Sequence, residues 1–136
     1  MLASPRAFLR IEGRGKIYES LLDSGVEVNL ISEETQKQYG LAIRTDVSIT
    51  IRAHGGGASG IIGICQDVAL EFPGGAVVRQ SFVVSREADN PVLLGQPFLA
   101  TADFEWIRRD DGQWGRLTSD DGRVTVEMKT FAWDDK

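Results

Sequence analysis

Apolar and polar residues alternate with a period of two along most of this chain, in short runs cut by glycine-containing turns. That is the pattern of strands buried on one face. Residues 7–12 and 16–22 predict a hairpin around Gly13-Arg14-Gly15. After Asp23-Ser24-Gly25 the alternation resumes over 26–31, with Val26, Val28 and Leu30 on one face and Glu27 and Asn29 on the other. Ser32 then suits an N-cap, Glu33 and Glu34 a first helical turn, and Gly40 a terminator, which predicts one short helix. Runs 47–53 and 61–72 predict two strands joined by His54-Gly55-Gly56-Gly57-Ala58-Ser59-Gly60, a mobile, glycine-rich hairpin tip. Pro73-Gly74-Gly75 turns the chain into a strand over 76–84, and a polar loop covers 86–90. Pro91-Val92-Leu93-Leu94-Gly95 reads as a buried strand, and Pro97 opens a short helix ending at Ala102. Two more hairpins turn at Asp110-Asp111-Gly112 and Asp120-Asp121-Gly122. The expected fold class is mostly β, with one or two short helices.

Composition narrows the class. The chain has 136 residues, of which 42% are hydrophobic and 26% charged, as in an ordinary globular domain. One domain over residues 1–136 is expected, with 129–136 as a flexible tail; a segment excised from a larger polyprotein would look the same. No apolar run is long enough for a bilayer, and the first residues carry charge where a signal peptide needs an apolar stretch. The expectation is therefore a cytoplasmic protein that engages no membrane. The net charge is −5 and the pI about 4.9, the wrong sign for a nucleic-acid binder. Arg108-Arg109 is succeeded at once by Asp110-Asp111, so no cationic stripe forms.

Cys65 is the one cysteine and His54 the one histidine, which excludes an internal disulfide and argues against zinc. His54 could serve only Cys65 or a serine, and the spacing offers no orienting partner. Acid–base chemistry would thus fall mainly to carboxylates, with no cofactor expected. Gly55, Gly57 and Gly60 formally match the dinucleotide glycine fingerprint, but the next residues are the β-like Ile61-Ile62-Gly63-Ile64-Cys65. A phosphate-binding loop needs a helix at that point.

Asp23-Ser24-Gly25 alone is normal turn chemistry. Its flanks are not, because Leu21-Leu22 before it and the alternating run after it place the turn between partly apolar strands. The segment Leu21-Leu22-Asp23-Ser24-Gly25-Val26-Glu27-Val28-Asn29-Leu30-Ile31-Ser32 resembles the active-site segment of retropepsin-like aspartic proteases, known from retroviruses, retrotransposons and some cellular proteins. The resemblance recurs in order: the glycine-rich hairpin stands at the position of the family's flap, and Val92-Leu93-Leu94-Gly95 resembles its apolar-apolar-glycine strand. These landmarks run from Ala7 to about Ala102.

The resemblance implies a closed, barrel-like β subunit with a flap hairpin, and an aspartic endopeptidase acting on an extended peptide or polyprotein. Two carboxyls about 3 Å apart share one proton, so one activates water while the other protonates the carbonyl oxygen. The chain offers one such Asp, so the resemblance implies a homodimer that pairs Asp23 from each subunit. It further implies that Ser24 bonds across the interface, that Gly25 admits substrate backbone, and that Leu94 and Gly95 pack beneath the turn, with Leu94 also among the substrate contacts. His54, Gly55, Gly56, Gly57, Ala58 and Ser59 would close over the substrate. Glu27 is either a solvent-facing strand residue or a carboxylate for substrate backbone. The family's arginine after the apolar-apolar-glycine strand is here Gln96, which could offer Glu27 only a neutral hydrogen bond, and Val26 replaces the usual alanine. The C-terminal third resembles the viral enzymes least; Trp106 and Trp114 there are read as core or interface packing. A catalytically silent dimerisation or peptide-binding module is the alternative reading.

Overall fold

The structure, a computed structural model, describes residues 5–46, 60–88 and 90–132. Strand β1 (Pro5–Ile11) turns Ala7, Leu9 and Ile11 inward and leaves Phe8 and Arg10 exposed. It runs antiparallel to β2 (Arg14–Leu22). The turn between them falls on Glu12 and Gly13, with φ of 55° and 64°, the mirror-type geometry that matches strand twist. It therefore sits slightly earlier than the sequence suggests.

Alternation predicts one strand over residues 26–31, but only β3 (Leu30–Ser32) is regular. Backbone hydrogen bonding explains the difference. Val26 donates to the Asp23 carbonyl and accepts from Gln96, so its groups are committed before a ladder can start. Helix α1 (Glu33–Gln38) forms as the local signals dictate: Ser32 accepts from the Thr35 amide, and Gly40 closes the end at φ 60°. The expected strand at 47–53 and the hairpin tip at 54–59 lie outside the described residues. The strand expected after that tip, β4 (Ile61–Glu71), pairs antiparallel with β5 (Val77–Ser85). Then come β6 (Val92–Leu94) and α2 (Gln96–Thr101), the latter with Pro97 in its first turn.

These strands form a ring in the order β1-β2-β6-β3-β5-β4, closed by pairing of Arg10 with Glu71 and Ile11 with Leu70. The β2–β6 and β3–β5 pairs are parallel, and the others are antiparallel. Inside sit Leu9, Ile11, Leu22, Ile31, Leu70, Phe82, Leu94 and Phe98, all about 1% exposed or less. Burying a side chain the size of Phe98 contributes about 2–3 kcal/mol.

The two C-terminal hairpins share their middle strand. Strands β7 (Glu105–Arg109), β8 (Gly112–Thr118) and β9 (Thr125–Lys129) make a separate three-stranded sheet. Its buried face carries Leu117, Val126 and Met128, and Gly115 leaves room for the Phe104 ring. Phe104 links Phe98 to Trp106, whose ring meets it edge-on at 4.7 Å while staying 40% exposed. Trp114, expected as core or interface packing, lies on the other face: its indole N–H donates to Asp111, and Arg109 covers its ring. The expected tail is partly tied down: Lys129 ends β9, and after Thr130 β10 (Phe131–Ala132) pairs with β1. Among the described residues, no helix is long and apolar enough to cross a membrane.

Candidate active site

The site grows from the parallel pairing of β2 with β6, which sets Leu21 beside Leu93 and Leu22 beside Leu94. The ladder runs one bond beyond the strand, because the Asp23 amide donates to the Leu94 carbonyl at 2.9 Å. The chain then turns. Val26 N–H reaches the Asp23 carbonyl at 3.3 Å, and Gly25 N–H reaches Asp23 Oδ1 at 2.9 Å. An Asp that accepts from the amide two residues on stabilises such a turn and fixes its own carboxyl direction.

Two contacts hold this turn from below. The Gln96 amide donates to the Val26 carbonyl at 2.9 Å, and Gln96 Nε2 donates to the Ser24 carbonyl at 2.8 Å. Gly95 sits so close that a Cβ there would overlap the carbonyl oxygens of Val26 and Val28. Only a residue without a side chain permits that approach. At Gly25, a Cβ would come to 3.2 Å from Asp23 Oδ1, so glycine keeps space open around the carboxylate.

Asp23 is half-buried, while Ser24, Gly25 and Glu27 are exposed. The structure thus brings Asp23, Ser24 and Gly25 together on an open turn with Glu27 two residues beyond. Leu94, grouped with the substrate contacts on sequence, has no exposed side-chain surface to offer: it is 0% exposed, and its carbonyl anchors Asp23. His54, Gly55, Gly56, Gly57, Ala58 and Ser59 lie outside the described residues. Gln96, on sequence a candidate partner for Glu27, holds the Ser24 carbonyl instead.

Sequence reasoning also misplaces Asn29. Alternation assigns it to a polar face, yet it is 2% exposed and bonded to Gln80, Ser81 and Gly95. A polar residue amid valine, leucine and isoleucine carries no signal for a partner 51 positions away.

Other chemistry finds less support. Cys65 is fully buried, and desolvation pushes its thiol pKa up, opposite to what a nucleophile needs. Gly60 leads into β4 rather than a helix, so the glycine fingerprint lacks its phosphate-binding partner. Among the described residues, no group of His, Cys, Asp and Glu is arranged to hold a metal ion. An open hollow of about 240 Å³ beside the Pro73-Gly74-Gly75 turn shares no residue with the Asp23 turn.

No protein-family model matches the sequence, and no curated protein matches it. Among solved structures, the chain is similar to the crystal structure of the retroviral protease-like domain of Ddi1 from Leishmania major. The TM-score is 0.67 over 99% of both chains, at 12% sequence identity. The fold is therefore retropepsin-like. At that identity the likeness concerns the fold alone and favours no retrotransposon origin.

Proposed function

We propose that the protein is an aspartic endopeptidase working as a homodimer, with Asp23 of each subunit meeting on a two-fold axis. The observation that carries this reading is the seating of Asp23-Ser24-Gly25. An open, carboxyl-bearing turn is anchored to the neighbouring strand β6 through the Leu94 carbonyl and to helix α2 through Gln96. An ordinary hairpin turn needs no such support, whereas a catalytic group must be held to within a fraction of an ångström.

Peptide hydrolysis without metal or nucleophile needs a base to take a proton from water and an acid for the carbonyl oxygen. Two adjacent carboxyls sharing one proton supply both roles, and their titration belongs to the pair. Ser24, exposed beside Asp23, would bond across the axis and lock the two turns together. Gly25 leaves room for an extended substrate backbone, and Glu27 offers it a carboxylate. Residues 54–59 would close over the peptide and exclude water.

The test compares the native protein with Asp23→Asn on an unfolded protein or a peptide library, from acidic to neutral pH, with sedimentation run alongside. Native protein should cut, best on the acidic side, and Asp23→Asn should fall to background while remaining dimeric. Equal cleavage by both would sink the mechanism, and cleavage by a strict monomer would refute the shared site. A stable dimer with no cleavage by either form would favour the silent dimerisation or peptide-binding module.

A further inference from the structure

We infer that Asn29 is a positioning residue for Asp23, one that acts through Gly95 without touching substrate; this rests on the aspartic-protease reading above. Its means is a buried relay. Asn29 Oδ1 accepts from the Gly95 amide at 2.9 Å. Its Nδ2 donates to Gln80 Oε1 at 2.8 Å and to the Ser81 carbonyl at 3.1 Å. Its own carbonyl accepts from the Val83 amide at 2.8 Å. Residue 29 therefore ties the β6–α2 junction to β5 by four hydrogen bonds, at 2% exposure.

The junction it holds is the one that holds the catalytic turn. Leu94, before Gly95, accepts from the Asp23 amide, while Gln96, after it, bonds Val26 and Ser24. Gly95 itself lies against the carbonyls of Val26 and Val28. Any drift of Gly95 is passed to Asp23 through these contacts, with no side chain of the relay at the reacting atoms.

The chemistry of the partners explains why this residue is an asparagine. The Gly95 amide can only donate and the Ser81 carbonyl can only accept, so the amide's orientation is fixed. Gln80 is itself buried at 7%, and its Nε2 is engaged with the Arg79 carbonyl, which turns its Oε1 toward Asn29. Aspartate would keep the acceptor for Gly95 but set carboxylate oxygen against two acceptors. Leucine keeps the branched outline with somewhat more bulk and makes none of the three side-chain bonds. Leaving Gly95 N–H, Gln80 Oε1 and the Ser81 carbonyl unpaired in a buried site loosens the junction.

The experiment uses Asn29→Leu, Gln80→Leu and the double variant in the full chain, read by steady-state kinetics and amide hydrogen exchange. Asn29→Leu should lower kcat about 10–100-fold, with KM within about twofold of native, because the reacting group is misplaced rather than the substrate lost. Its Gly95 and Asp23 amides should exchange at least about tenfold faster, while amides of β8 hold their native rates. Gln80→Leu should give a smaller change of the same kind, and the double variant should be no worse than Asn29→Leu alone, since both act on one chain of bonds. An unchanged kcat in folded Asn29→Leu would overturn the proposal. So would fully additive effects, or acceleration in β8 equal to that at Gly95. Should Asn29→Leu fail to fold, Gln80→Leu carries the same two readouts. The exchange measurement needs no cleavage, so an inactive native protein would count against the proposed activity and leave this inference to the amides of Gly95 and Asp23.

Discussion

A methyl group added at Gly95 tests the architecture beneath the turn most severely. The Cβ of alanine would overlap the carbonyl oxygens of both Val26 and Val28. Both are backbone atoms, so relief cannot come from a side-chain rotation; residues 26–28 or the β6–α2 junction must move. Moving them stretches the Gln96–Val26 hydrogen bond and pulls the Gly95 amide from Asn29. Overpacking of this kind costs about 1–3 kcal/mol. The orphaned buried groups cost about 1–3 kcal/mol more. Together that is roughly 2–6 kcal/mol against a domain stability of about 5–15 kcal/mol, so the variant should still fold. Its Tm should fall by about 10–20 °C for a domain of this size. The proposed proteolysis should drop about 100-fold or more, because the turn bearing Asp23 is displaced. Gly40→Ala is the control: Gly40 has φ 60° and nothing within 4 Å of its would-be Cβ, so it should cost only about 1–2 kcal/mol of backbone strain. Thermal melts and the cleavage assay read both variants. A Gly95→Ala protein that melts within about 2 °C of native and cuts normally would refute the close packing of residue 95 on the turn.

The described contacts lead to two further outcomes. Hydrogen bonds from Arg109 and then Arg116 hold the Glu127 carboxyl pKa below its usual value. Its stabilising effect is therefore complete above the usual glutamate value and disappears as pH falls through the lowered one. Melts of native protein and Glu127→Gln from neutral to strongly acidic pH should show a shallower acid loss in the variant; equal slopes would refute the role of this ion network. Cys65 is fully buried, with its pKa raised by desolvation. A thiol reagent at mildly alkaline pH should leave it untouched in native protein and label it once in denaturant, and fast native labelling would contradict its burial.

Helix α1 is legible because its determinants lie within one or two turns: the cap is Ser32, its acceptor role is met by Thr35, and the stop is Gly40. The hairpins are legible for the same reason, since glycine and aspartate mark turns whatever surrounds them. The turn bearing Asp23 stands out by its apolar flanks and by the order of later landmarks. Its supports are harder to see. Sequence suggests Gln96 as a partner for Glu27, yet its amide reaches Ser24, 72 positions away. Alternation puts Asn29 on a solvent face because it is a local rule, and the structure abandons that rule where Val26 bonds to Gln96.

The sequence by itself therefore determined most of the described strands, where most of them turn, and which carboxyl-bearing turn lies between apolar strands. Those properties depend on neighbours a few residues apart, so periodicity and turn chemistry express them directly. Tertiary structure alone decided that β2 and β6 lie side by side in parallel, that the ring closes from β1 to β4, and that two C-terminal hairpins share β8. It also decided that Asn29 and Gly95, 66 positions apart, hold the turn from behind. Such pairings depend on where the rest of the chain comes to lie, and a buried amide is stable only once its distant partners arrive.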